Sequence, residues 1–111
     1  MTRWYVRLSR DAETDFAEIL IYTHDTFGDS QVRTYQGVLT DTLTTLSEGP
    51  TVLGSVVLDD ILPNLRSLHV ARRGRRGRHF ILYRAADGQT IEVLRILHDA
   101  MDIARHIQPE P

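Results

Sequence analysis

The C-terminal half of the chain sets anion-binding and proton-carrying side chains among apolar residues. Arg66, Arg84 and Arg95 are of the type that grips a phosphate through paired N–H donors. His79, Tyr83 and His98 are of types that pass protons in general acid–base catalysis. Cleaving a phosphodiester needs the attacking group activated, the crowded phosphate stabilised and the leaving oxygen protonated. These six residues could supply such groups, although the chain has no lysine and no tyrosine after Tyr83. Metal chemistry finds less support. The histidines, His24, His69, His79, His98 and His106, include no i, i+4 pair and have no cysteine to join them, so no metal or other cofactor is expected.

Two of these residues, Arg95 and His98, join Glu92 as polar positions in an otherwise apolar run, Ile91-Glu92-Val93-Leu94-Arg95-Ile96-Leu97-His98. An arginine inside such a run must reach solvent or find an acid. Arg95 can pair with Glu18 or Asp15 as structural support, or face a target from the sheet. His98 stands where the run ends; it can bond the backbone at that corner, with Asp99 or Asp102 near it, or contact a target.

All 13 basic residues are arginine, and they are unevenly placed. Residues 61–86 hold seven of them, Arg66, Arg72, Arg73, Arg75, Arg76, Arg78 and Arg84, and no acid. Residues 1–50 carry four arginines against eight acids. The net charge of −2 therefore conceals a molecule with two electrical sides, which bears on partner choice rather than on fold. The cluster Arg72-Arg73-Gly74-Arg75-Arg76-Gly77 reads as a solvated loop tip or as a surface for an acidic partner. It has no interleaved aromatic, which argues against independent nucleic-acid binding.

At 111 residues and 41% apolar content the chain suits a single domain, residues 1–111, with one small core. The absence of cysteine fits a reducing compartment, and the cytoplasm is the expected location. No apolar run approaches the roughly 20 residues of a membrane span. The start, Met1-Thr2-Arg3-Trp4-Tyr5, lacks the apolar stretch of a signal peptide.

The elements follow from local pattern. Residues 4–8 read as a first strand. Ser9 is placed to cap a helix, with Asp11 and Glu13 suited to its positive end. Ala12, Phe16, Ile19, Leu20, Thr23 and Phe27 form its apolar stripe, and Gly28 ends it. Asp29 or Ser30 can cap a second helix, striped by Val32, Tyr35, Leu39, Leu43 and Leu46 and ended by Gly49-Pro50. The short link implies an antiparallel helical hairpin. Residues 50–64 form a connector with a small plug at Val56, Val57 and Leu58. Strands are expected over residues 65–70, 78–84 and 90–98, with a tight turn at Asp87-Gly88 and the arginine tip between the first two. The last is apolar enough to be central and buried on both faces.

This order, with Val6-Arg7-Leu8-Ser9, Ala12 and Asp15, Tyr22, Phe27-Gly28, Pro63-Asn64-Leu65-Arg66, residues 77–84 and the closing Val93-Leu94-Arg95-Ile96-Leu97-His98, resembles the ParE-type toxins of the RelE/ParE superfamily. The segment from Asp99 to Ile107, with Met101-Asp102 and Arg105-His106, is similar to the ParE version of the C-terminus. The resemblance implies an α+β fold, β-α-α-β-β-β, in which an N-terminal strand and an antiparallel helical hairpin pack with a small antiparallel sheet and a short C-terminal helix follows.

It also implies the toxin of a type II toxin–antitoxin pair, silenced by a cognate ParD-like antitoxin. ParE-like members are associated with poisoning DNA gyrase, possibly in its DNA-bound state, whereas RelE-like members cleave messenger RNA on the ribosome. The ParE-like C-terminus favours a gyrase inhibitor that is not itself a catalyst. The alternatives are a ribosome-dependent nuclease and a non-toxic member that only forms complexes. On the favoured reading Arg95, His98, Arg105, Arg66 and Arg84 contact the target. Tyr22, Tyr35 and Val38 flank the helical stripes where an antitoxin segment would wrap, and Arg72, Arg73, Arg75 and Arg76 would meet an acidic antitoxin tail, an acidic target surface or DNA held by gyrase. Apolar residues left uncovered without the antitoxin would favour a homodimer in place of the toxin–antitoxin hetero-oligomer.

Overall fold

The computed structural model describes residues 3–107. Met1 and Thr2, part of the expected non-signal start, lie outside them. The elements are β1 (Tyr5–Leu8), α1 (Arg10–Phe27), α2 (Asp29–Thr45) with a 3₁₀ turn (Leu46–Glu48), β2 (Val56–Val57), β3 (Arg66–His69), β4 (His79–Ala86), β5 (Thr90–His98) and α3 (Ile103–His106).

Ser9 starts α1 as expected, its Oγ accepting from the Ala12 amide at 3.0 Å. The same hydroxyl donates to the Leu94 carbonyl at 2.8 Å, so one side chain caps a helix and pins it to β5. Gly28, at φ 91°, closes α1 by donating to the His24 carbonyl. It also precedes α2 directly, which has no side-chain cap. Asp29 is therefore helical rather than capping; its carboxylate instead accepts from His24 Nε2 at 2.7 Å across the hairpin turn. The second helix ends at Thr45, with the 3₁₀ turn leading on to Gly49.

The sheet runs β1-β5-β4-β3-β2. Adjacent strands are antiparallel except β1, which lies parallel to β5 with Tyr5 opposite Thr90 and Leu8 opposite Val93. The sheet is thus mixed rather than antiparallel throughout. No hairpin joins β1 to its neighbour, so local sequence does not set its direction. The expected plug at residues 56–58 is also different. Val56 and Val57 form the edge strand β2, pairing with Ser67 and Arg66, and both are half exposed; only Leu58 packs inward.

The central placement of β5 explains its composition. Ile91, Val93 and Ile96 enter a cluster with Ala12, Val38, Leu39, Leu46, Leu68, Val70, Ile81 and Tyr83 beneath the helical hairpin. Leu97 enters a second cluster with Leu65, Phe80, Leu82 and Ile107, joined by Leu58, Ile61, Leu62, Leu94 and Ile103. The connector and α3 therefore cover the second face of the sheet. A bulge lies within the β4–β5 ladder: Leu82 faces Arg95 and Tyr83 faces Val93, leaving Leu94 unpaired.

Candidate functional site

The strand register brings three histidines to one end of the sheet. His69 ends β3, His79 begins β4 opposite His98, and His98 ends β5. The His79 and His98 rings meet edge to face at 5.4 Å between centroids. Backbone hydrogen bonds fix the tautomers of His69 and His98. His69 Nδ1 accepts from the Ala71 amide, leaving Nε2–H to donate to Asp99 Oδ2 at 3.0 Å. His98 Nδ1 accepts from the Ala100 amide at 3.1 Å, the backbone role expected for it at this corner. Tyr35 reaches over from α2, and its hydroxyl lies 2.6 Å from His79 Nδ1 while accepting from the Arg78 amide at 3.3 Å. The phenol oxygen thus joins the His79 ring to the Arg78 backbone.

Burial is the first reason why His79 is pushed down to about 4, and the neighbouring His98 adds to it. Burial likewise raises Tyr35. Asp99 is held low, first by the His69 hydrogen bond and then by Arg78, whose Nε donates to both its oxygens at 3.2 Å. Near neutrality this end therefore holds a neutral His79 inside a fixed network. Beside it Tyr22, Phe27, Gln31, Tyr35, Arg78 and His98 line a groove of about 280 Å³. Phe27, expected on the buried stripe of α1, is 63% exposed at the groove's rim, and Tyr22 is 65% exposed.

Arg95 does something different. Its Nε and Nη2 donate to Asp15 Oδ2 and Oδ1 at 2.7 and 2.9 Å. The Ile96 amide donates to Asp15 Oδ2 at 2.9 Å. Asp15, not Glu18, is thus the partner; it replaces the strand neighbour that β5 lacks once β1 has ended. The Asp15 hydrogen bond raises the Arg95 pKa further.

The other candidates do not converge with these. Arg84 shares strand parity with Phe80 and Leu82, so it lies on the second face, where it and Arg7 grip Glu92 from either side at 3.1 and 2.9 Å. Arg66 has the parity of Leu68, on the hairpin face, and bonds Ser55 Oγ at 2.9 Å. Tyr83 is fully buried and donates to the Pro50 carbonyl at 2.7 Å. Arg105 is on α3, with Nε 3.8 Å from Asp102 Oδ2.

Val38 is 3% exposed in the core beneath the hairpin. It is therefore not on the exposed flank expected of a docking residue. The buried face of α2 passes through Val38, Leu39 and Thr42, with half-buried Tyr35 a turn before and buried Leu46 following in the 3₁₀ turn. Thr42 belongs there because its hydroxyl is satisfied by the Val38 carbonyl at 2.9 Å. A stripe drawn through apolar residues alone omits Thr42 and so runs beside Val38 rather than through it.

The arginine tip folds back against α2. Arg72 donates to Thr45 Oγ1 and to the Leu53 carbonyl, and Arg75 pairs with Asp41. Arg73 and Arg76 are exposed. Gly77 is required where the tip returns, because a Cβ there would come within 3.0 Å of Tyr35 Cε1 and closer still to Val70 Cγ2.

Spacing along the chain does not join His69, Arg78 and Asp99 to Tyr35, His79 and His98 as one group. The usable signal was the pairing of β4 with β5, which sets His79 opposite His98. Among the described residues no three His, Cys, Asp or Glu side chains are arranged to hold a metal ion. No helix among them is long and apolar enough to cross a membrane.

The fold is shared with solved toxin–antitoxin structures. A chain of the chromosomal ParDE system from P. aeruginosa superposes with a TM-score of 0.70 at 16% identity, covering 88% of this chain and 98% of that one. A chain of the RelBE2 complex from Mycobacterium tuberculosis gives 0.58 at 24% identity, covering 86% and 98%. In sequence, Toxin ParE1 of Caulobacter vibrioides is 33% identical over 101 residues, 91% of this chain and 95% of the relative. Toxin ParE1 of Mycobacterium tuberculosis is 30% identical over 100 residues, 90% and 94% of the two chains. The family described as the ParE toxin of the type II toxin–antitoxin system parDE matches residues 6–103, from β1 into α3. With the mixed sheet, the helical hairpin and the closing β5 segment all inside that span, the chain belongs to the ParE toxins of type II toxin–antitoxin systems.

Proposed function

We propose that this toxin acts in the cytoplasm as a binding inhibitor of DNA gyrase and that a ParD-like antitoxin neutralises it. The observation that carries the inhibitor reading is the dispersal of the groups a nuclease would gather. Arg66, Arg84 and Arg95 are bound to Ser55, Glu92 and Asp15, on different parts of the sheet. Tyr83 is committed to a backbone carbonyl, and His79 Nδ1 to Tyr35. An acid, a base and a phosphate clamp must lie within hydrogen-bonding reach of one substrate, and this arrangement supports surface recognition instead. The second face of the sheet, packed under Ile103 and Ile107, supports the same reading.

The antitoxin reading rests on family membership and on the exposed rim of the groove. Tyr22 and Phe27 there present aromatic surface that an amphipathic segment can cover. Target contacts would then come from His98 and Arg105 at the C-terminal corner, with Arg95 positioning that corner through Asp15.

Supercoiling of relaxed plasmid by purified gyrase tests the target. Inhibition by the toxin, relieved by the antitoxin encoded beside it, is the expected result. Unimpaired supercoiling together with ribosome-dependent cleavage of messenger RNA would replace the inhibitor with the nuclease.

A further inference from the structure

We propose that the cleft between the end of α2 and the β3–β4 tip receives carboxylate side chains from an extended acidic segment of a protein partner. The cleft has a volume of about 340 Å³, with Thr42 and Val70 among its walls and Arg72, Arg73 and Arg75 along one side. It is independent of the gyrase reading and shares no lining residue with the groove beside His79 and His98.

Three observations point to carboxylate. Among the described residues no acid pairs with Arg72, Arg73 or Arg76, so the tip keeps its positive charge. Arg72 is nevertheless held in place, its Nη1 3.1 Å from Thr45 Oγ1 and its Nη2 3.3 Å from the Leu53 carbonyl. Both acceptors are neutral, so the guanidinium is oriented without being compensated. A carboxylate already occupies the rim: Asp41 pairs with Arg75, with side-chain exposures of 57% and 44%. So open a pair is only weakly held in water, and an incoming carboxylate can exchange with it.

Shape and lining favour a peptide over nucleic acid. No aromatic lines the cleft, so it offers no stacking platform to single-stranded bases. Duplex DNA presents a convex row of phosphates that would touch the rim of a concave site. An extended peptide projects alternate side chains on one side at roughly 6.6 Å spacing, which suits entry of one carboxylate beside Arg72 and Arg73 while another takes Asp41's place on Arg75.

Fluorescence anisotropy of the purified chain, at low salt, tests this with a short labelled peptide of alternating aspartate and alanine. A peptide with lysine for aspartate and a short DNA duplex serve as competitors for comparison. The acidic peptide should bind and weaken with added salt. Asp41→Asn should tighten it roughly two- to five-fold by removing the internal competitor. Arg73→Glu and, separately, Arg75→Gln should weaken it by at least as much, with melting temperatures near that of the parent chain confirming the fold. Absence of peptide binding, peptide binding indifferent to all three substitutions, or tighter binding of the duplex with the same dependence on Asp41 and Arg73 would each overturn the proposal.

Discussion

Two arginine–aspartate pairs tie helix to sheet or loop in this molecule, and they differ in almost everything but chemistry. Arg95 and Asp15 join α1 to β5 through two direct bonds, with side-chain exposures of 24% and 10%, and Asp15 also accepts from the Ile96 amide. Arg75 and Asp41 join the tip to α2 with about half of each side chain in water. The first carboxylate is part of the sheet's hydrogen bonding; the second is exchangeable. Burial and the number of bonds served decide whether the same ion pair is architecture or a contact held ready for another molecule.

Breaking the buried pair should have the largest effect. Asp15→Ala leaves Arg95 and the Ile96 amide without their acceptor, and should cost about 3 kcal/mol in urea unfolding. Combining Asp15→Leu with Arg95→Met removes both charges and should restore part of that loss, the residue reflecting the Ile96 amide at about 1 kcal/mol. If the double variant is as unstable as Asp15→Ala, the pair's importance lies in packing and the contrast fails. Gly77→Ala is an intermediate case, because the added methyl must displace Tyr35 and Val70. A loss of about 1–3 kcal/mol is expected, and it would show that backbone closeness, not Arg75–Asp41, fixes the tip.

The histidine end should give a smaller, pH-dependent signature. His79 has its folded pKa depressed from 6.5 to about 4, so the unfolded chain binds the proton more readily. Its contribution is present above 6.5 and is lost as pH falls towards about 4. The slope should be below about 1.4 kcal/mol per pH unit, because the group is only half-buried. Denaturant midpoints across that range should decline, and His79→Gln should flatten the decline. The exposed His24 has the opposite sign: Asp25 and then Asp29 raise its pKa, so its contribution is present at low pH and lost as pH rises through the raised value. The smallest change is expected from Asp41→Asn, less than about 1 kcal/mol. A larger loss would make the two arginine–aspartate pairs alike after all.

The contrast also marks how far the sequence could be read. Ser9, Gly28 and the strand over Thr90–His98 were legible because each announces itself locally, by a capping side chain, a helix-ending glycine or a mostly apolar run. Arg95 was legible as an anomaly needing an acid, with Asp15 among its candidates. The parallel run of β1 was not, because its partner lies some eighty residues away and no turn specifies the direction. The strand at Val56–Val57 is too short to carry a periodicity, and the burial of Val38 shows in the pattern only if the polar Thr42, one turn on, is counted as core. The histidine cluster depends on β3, β4 and β5 ending together, which spacing along the chain does not state.

The parallel pairing of β1 with β5 also dictates an order of assembly. The strand made first needs the strand made last, so during synthesis the helical hairpin is complete while the surface under Leu39 and Leu46 still lacks Ile91, Val93 and Ile96. Contacts this distant in sequence close late and slowly. For that interval the nascent chain presents an uncovered apolar face, and the helical hairpin has no complete sheet to close it until β5 has been made.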